Sequence, residues 1–193
     1  MTGGAGWYET VSSETVHEGF STVKVDEVRM PDGSTAEREY VVHDDAVAVV
    51  PVLDDGSVLL LRQYRHPVGR YILEIPAGKM DEEGESPAET GRRELREEVG
   101  YAADHLVHLV TFENSAGWSD ERTHVFLGRG LREAAPPDGF EAEHEEADME
   151  VVRLPFADAL AQVRAGELTD AKTVIGLLLA APHVDRSPAS PGA

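Results

Sequence analysis

The chain has 193 residues, with 17 Lys+Arg against 37 Asp+Glu, a formal charge of −20 at pH 7. That length suits one domain, or one domain with a small appended element, and 41% hydrophobic residues can bury a core, which an aromatic share of only 6% makes aliphatic. The acidity argues against nucleic acid and anionic membranes as partners, since both need basic surface, and the absence of cysteine excludes disulfides, thiolate catalysis and Cys-based zinc sites.

The N-terminus, MTGGAGWYETVSSETVHEGF, has neither a basic stretch nor an apolar one, so no signal peptide is expected. The longest apolar run, VIGLLLAA at 174–181, is far short of the roughly 20 residues a membrane span needs. A cytoplasmic protein is expected.

Residues 1–6 read as a loose end. Two β-runs follow, 22–30 and 36–43, joined by a turn at Pro31-Asp32-Gly33. AVAVVPVLDDGSVLLLRQYR, 46–65, is expected to be a second hairpin turning at Asp54-Asp55-Gly56. Its Val/Leu runs are continuous rather than alternating, which predicts strands buried on both faces. YILEIP, 71–76, is a further strand ending at Pro76.

A helix comes next. Ser86 suits the N-cap, Pro87 the first helical position, and Glu89 completes a Ser-x-x-Glu capping box. Leu95 and Val99 supply an inner face, and Gly100 stands where a left-handed stop belongs. Strands are expected at 105–114 and 122–131, then a long Pro-, Gly- and acid-rich loop over 133–150. A last strand begins at Glu150. Helices follow at 157–165 and 170–181, the second capped by Thr169 or Asp170, and 184–193 reads as a disordered tail. The resulting division is an N-terminal β element over 1–44, a main domain over 45–183 and the tail. Strands, helix, strands and helices in that order predict an α+β sandwich rather than a regular βαβ series.

The helix carries the chemistry. Residues three and four apart are neighbours on a helix, so Glu94 and Glu98 stack one turn apart with Glu97 beside both. Carboxylates this close repel each other unless a cation sits among them. Mg²⁺ takes oxygen ligands, often carboxylates together with substrate phosphates and water. Arg93 can hold a carboxylate in its rotamer through a guanidinium fork.

The stretch from Glu85 resembles the box of the Nudix hydrolases. Seven residues after Glu85 come Arg93-Glu94-Leu95-Arg96-Glu97-Glu98-Val99-Gly100-Tyr101, which matches the family pattern at every specified position of that half. The first half is longer by one residue, because six residues, KMDEEG, separate Gly78 from Glu85. The resemblance implies a Nudix-type α/β/α sandwich with a mixed sheet, plus an N-terminal antiparallel element. It implies Glu94, Glu98, Glu97 and the backbone carbonyl of Ala77 as metal ligands, with Mg²⁺ expected and Mn²⁺ as its substitute.

Within the family, QYR and EIPAGK resemble the ADP-ribose pyrophosphatase branch. That branch carries a catalytic base on a late loop, which makes Glu145 the expected base and Glu146 the second candidate. It also suggests Arg65 and Arg70 for the diphosphate or a dimer mate, Glu74 for a ribose or the adenine edge, and Gly78, Trp118 and Glu121 as further substrate contacts. Ala116 stands where the branch has a proline. The eight histidines show no metal-ligand spacing. The implied activity is Mg²⁺-dependent hydrolysis of ADP-ribose to AMP and ribose 5-phosphate. The alternatives are the same chemistry on another nucleotide sugar or dinucleotide, or a non-catalytic nucleotide sensor. The implied assembly is a homodimer that exchanges the N-terminal sheet.

Overall fold

Strands β1 (Glu9–Glu18), β2 (Thr22–Arg29) and β3 (Thr35–Val42) form one antiparallel sheet in that order. The computed structural model that shows this describes residues 7–137, 139–140 and 148–184. The β2–β3 turn closes where Pro31-Asp32-Gly33 predicts it. The Asp32 carboxylate accepts from the Ser34 N–H at 2.9 Å, and Gly33 takes a φ of 88°. Strand β1 was not anticipated. All ten of its residues are exposed, and its two apolar residues, Val11 and Val16, are five apart, so no alternation marks it as a strand. Residues up to Asp44 form one compact unit together with Glu113–Arg122. Inside it, Val41 N–H donates to the Trp118 carbonyl and His43 N–H to Asp120, each at 2.9 Å.

The second compact unit takes the other described residues, Asp45–Phe112 and those from Thr123 on. Its elements are β4 (Ala46–Pro51), β5 (Ser57–Arg65), β6 (Arg70–Glu74), β7 (Ala77–Lys79), α1 (Pro87–Glu98), β8 (Tyr101–Glu113), β9 (Arg122–Glu133), β10 (Glu150–Pro155), α2 (Phe156–Ala165) and α3 (Ala171–Val184). One sheet runs β7-β4-β9-β8 and is mixed, because β4 is parallel to β9 and antiparallel to β7. The other is antiparallel, in the order β10-β5-β6.

The expected hairpin over 46–65 is corrected here. Its turn forms, with Leu53 N–H donating to Ser57 O at 2.8 Å and Gly56 at φ 83°. Beyond the single bridge Val52↔Val58, however, β4 and β5 part into different sheets. Each already has two other partners: β9 and β7 for β4, β10 and β6 for β5.

Burial on both faces explains the continuous Val/Leu runs. Val47 and Val49 of β4 pack with Leu95 of α1 and with Val99, its C-cap. Ala48 and Val50, one residue out of phase, pack with Phe156, Leu160, Leu177 and Ala180 of α2 and α3. Alternate side chains of one strand thus face opposite helix layers, which makes this unit an α/β/α sandwich. Each buried Val or Leu contributes about 1.5–3 kcal/mol. Helix α3 lies so close that a Cβ on Gly176 would sit 2.8 Å from Val50 Cγ2. Among the described residues, no helix is long and apolar enough to cross a membrane. Most of the expected tail, from 185 onward, lies outside the described residues.

Candidate active site

Helix α1 is set in register by its cap. The Ser86 side chain accepts from Glu89 N–H, and the Glu89 carboxylate accepts from Ser86 N–H at 2.8 Å. Leu95 is fully buried beneath the helix, while Glu94 and Glu98 reach the strand before it and Glu97 meets Arg93.

Arg93 ties that strand and loop to the helix. Its Nη1 lies 2.8 Å from Glu94 Oε1 and 2.9 Å from Glu97 Oε2. Its Nε lies 3.3 Å from Glu85 Oε2, and its Nη2 donates to the Lys79 carbonyl at 3.2 Å. Burial works against the guanidinium charge, but Glu94, Glu97 and Glu85 together hold it firmly protonated. Among the described residues, no three ligand-type side chains already converge as a cation cage.

Two backbone features on β7 meet the carboxylates. Val49 N–H donates to Pro76 O at 2.9 Å, and Ala48 is the register partner of Ala77. In an antiparallel ladder hydrogen-bonded pairs alternate, so the N–H and C=O of Ala77 both turn away from β4. The N–H donates to Glu98 Oε2 at 2.8 Å. At Gly78, a Cβ would lie 2.0 Å from Glu94 Oε1, so only glycine lets that carboxylate rest on the strand.

Glu98 is desolvated, and that desolvation, with Glu94 beside it, pushes its carboxyl well above the ordinary glutamate range. The Ala77 N–H, Lys172 and Arg65 pull the other way without prevailing. A hard divalent cation fits this donor set: clustered carboxylate oxygens, a backbone edge facing them, and a half-buried, desolvated acid whose charge lacks full compensation.

The remaining expected site residues fall in several places. Glu74 is 2% exposed and accepts a two-point bond from Arg65, at 2.6 and 2.9 Å. Its Oε2 also meets the Lys172 ammonium. Arg70 opens β6 and donates to Thr169 Oγ1 at 3.1 Å. Trp118 and Glu121 belong to the other compact unit, where Trp118 is exposed and Glu121 lies 3.7 Å from the His43 ring. Glu145 and Glu146 lie outside the described residues.

Sequence reasoning missed Lys172 and Thr173. The stretch Asp170-Ala171-Lys172-Thr173 reads as an ordinary helix start. Its cap is as expected: Asp170 Oδ2 accepts from the Thr173 N–H at 2.9 Å. No local pattern signals that Lys172 would reach a carboxylate 98 residues earlier.

Comparison with known proteins adds the lineage. Residues 42–174 match the NUDIX domain, and residues 8–41 match the nucleoside diphosphate sugar hydrolase N-terminal domain. The chain is 45% identical over 172 residues to the ADP-ribose pyrophosphatase of Mycobacterium tuberculosis (strain ATCC 25618 / H37Rv), covering 89% of this chain and 82% of the relative. It is 39% identical over 170 residues to the ADP-ribose pyrophosphatase of Bacillus subtilis (strain 168), covering 88% and 90%. A crystal structure of an ADP compounds hydrolase superposes with a TM-score of 0.79 at 25% identity, over 92% of this chain and 94% of that one. Domain match, relatives and sandwich agree with the box on α1: this chain belongs to the Nudix family, hydrolases that act on nucleotides and generally need a divalent metal.

Proposed function

We propose that this protein hydrolyses the diphosphate of ADP-ribose to AMP and ribose 5-phosphate in the cytoplasm, using Mg²⁺ or, in its place, Mn²⁺. The observation that carries the reading is the meeting of the α1 carboxylates with the Ala77–Gly78 edge. The two ADP-ribose pyrophosphatase relatives support ADP-ribose as substrate.

Glu94, Glu97, Glu98 and the Ala77 carbonyl would hold the cation. Bound there, it supplies charge neutralisation on the phosphoryl oxygens and a lowered pKa for water. Arg93 keeps Glu94 and Glu97 in place, and Gly78 gives Glu94 its room. Glu145 or Glu146 takes the proton of the attacking water. The water oxygen bonds to one phosphorus, and the bridging oxygen leaves with the other phosphate. Arg65 gives Nε and Nη2 to Glu74 while its side chain stays 41% exposed, so its outer edge can meet the diphosphate. Glu74 supports that arginine, and Arg70 is a second cation for the substrate. The substrate roles of Trp118 and Glu121 rest on the family resemblance.

The test is product release from a panel of ADP-ribose, nucleotide sugars, dinucleotides and nucleoside triphosphates, with and without Mg²⁺. Mg²⁺-dependent turnover led by ADP-ribose is expected. Turnover led by a nucleotide sugar would keep the chemistry and replace the substrate. That second reading is favoured by the match of residues 8–41 to the nucleoside diphosphate sugar hydrolase N-terminal domain.

The functional form we propose is a homodimer that exchanges the N-terminal sheet. Strand β1 is exposed along its whole length, and Trp7, Tyr8, Val11, Val16 and Phe20 on or beside it are exposed apolar groups. Apolar surface of this kind marks a contact face. Sedimentation equilibrium should return twice the mass of one chain, and a single-chain mass across micromolar concentrations would refute the dimer.

A further inference from the structure

We propose that Lys172 and Thr173, at the start of α3, are positioning residues for the cation site: they latch the segment Glu74–Gly78 and so set the backbone edge that faces Glu98 and Glu94. The inference rests on the reading that those carboxylates bind a divalent cation, and it assigns a role to a helix that carries no ligand.

Every residue of that segment has a specific anchor. Glu74 is gripped by Arg65 and Lys172. Ile75 N–H donates to Thr173 Oγ1 at 2.8 Å. The Pro76 carbonyl accepts from Val49 N–H, Ala77 N–H donates to Glu98, and Gly78 lies against Glu94. One of the two grips on Glu74 and the one on Ile75 come from α3, nearly a hundred residues later in the chain.

The α3 end of the latch is itself fixed. Asp170 Oδ2 accepts from the Thr173 N–H at 2.9 Å and from its hydroxyl at 2.6 Å, while Oδ1 lies 2.9 Å from the Lys172 ammonium. The Thr173 hydroxyl therefore points its proton at Asp170 and offers a lone pair to Ile75. Thr173 is fully buried, and the Lys172 side chain is 17% exposed, so water does not readily replace either contact. Gly176 one turn on brings α3 against Val50, on the strand that also holds Pro76 through Val49. Groups that orient ligands in this way typically change metal affinity 10- to 100-fold when removed.

Charge and position make opposite forecasts for Lys172. Its ammonium acts electrostatically on Glu98. If charge were its whole effect, losing a cation beside a cation site would tighten metal binding. If it positions the segment, losing it weakens binding.

The experiment uses the full-length protein and Mn²⁺ alone, followed by electron paramagnetic resonance of the free ion, with kcat and KM measured in parallel. Lys172→Met and Thr173→Val should each raise the Mn²⁺ Kd about 10-fold. Thr173→Ser, which restores the hydroxyl, should return it to within about twofold of the parent. The variants should lower kcat more than they raise KM. Thr173→Val is nearly isosteric, so it decides the matter if Lys172→Met fails to fold. Mn²⁺ binding that is unchanged or tighter in folded Lys172→Met and Thr173→Val would overturn the latch, whatever their melting temperatures. A parent protein that does not bind Mn²⁺ would sink the cation site and the latch together, whereas a parent that binds beside indifferent variants sinks the latch alone.

Discussion

Glu98→Gln is expected to lower kcat by about 10³-fold or more, because the cation that supplies nucleophile and charge stabilisation would lose a principal ligand. The amide has the shape of the carboxylate and its oxygen can still accept from Ala77 N–H, so the local fold should survive. The same substitution should raise the melting temperature of the metal-free protein. Burial and the neighbouring Glu94 hold the Glu98 pKa above its unfolded value. An acid with a raised folded pKa contributes stability that is fully present below the unfolded pKa, about 4.3, and lost as pH rises through the folded one. At pH 8, far above the unfolded pKa, the carboxyl therefore costs stability, and the amide, which does not titrate, removes that cost. Mg²⁺ should then stabilise the parent and leave the variant nearly unmoved, since only the native parent binds it. Scanning calorimetry of both proteins at pH 8, with and without Mg²⁺, checks this beside the rate. Full turnover in the variant would take Glu98 out of the ligand set, and a lower melting temperature without metal would mean that its charge supports the fold.

Glu74→Gln is expected to cost about 3 kcal/mol of stability, a fall in melting temperature of roughly 6–12 °C for a chain of this size. Glu74 is 2% exposed. Desolvation alone would raise its pKa, but the paired Arg65 contact and Lys172 outweigh it and leave the carboxyl below its ordinary value. The amide abandons one side of that arrangement, and the largely buried Lys172 ammonium and the part-exposed Arg65 both lose their carboxylate partner. Here the sign is opposite to that of Glu98. A lowered carboxyl pKa adds stability above the unfolded pKa and loses it as pH falls through the folded one. The difference between parent and variant should thus be full at neutral pH and shrink below about pH 4. Denaturant melts at pH 7 and pH 3.5 measure it. Equal stability at pH 7 would show that desolvation cancels the whole network, the known hazard of buried ion pairs.

What was legible in advance was local. The Ser86 cap, the Pro87 start and the spacing of Glu94, Glu97 and Glu98 all act within a turn or two of helix. The continuous Val/Leu runs of β4 and β5 forecast burial on both faces because composition responds directly to the loss of solvent. Strand β1 carries no such signal, because its two valines, Val11 and Val16, do not alternate and its other residues are polar. Strand β7 escaped notice because it has only three residues.

The amino-acid sequence by itself thus determined the family, the helix that carries the carboxylates, and the sandwich that buries two runs of aliphatic residues. The tertiary structure alone decided who pairs with whom. The parting of β4 from β5, the seat of Glu94 on Gly78, the turn of the Ala77 N–H toward Glu98, and the grip of Lys172 on Glu74 all join residues far apart in the chain. Such contacts depend on which strands fill which edges and how closely a late helix approaches an early strand. Periodicity and capping report on a few neighbouring residues and carry no information about those distances.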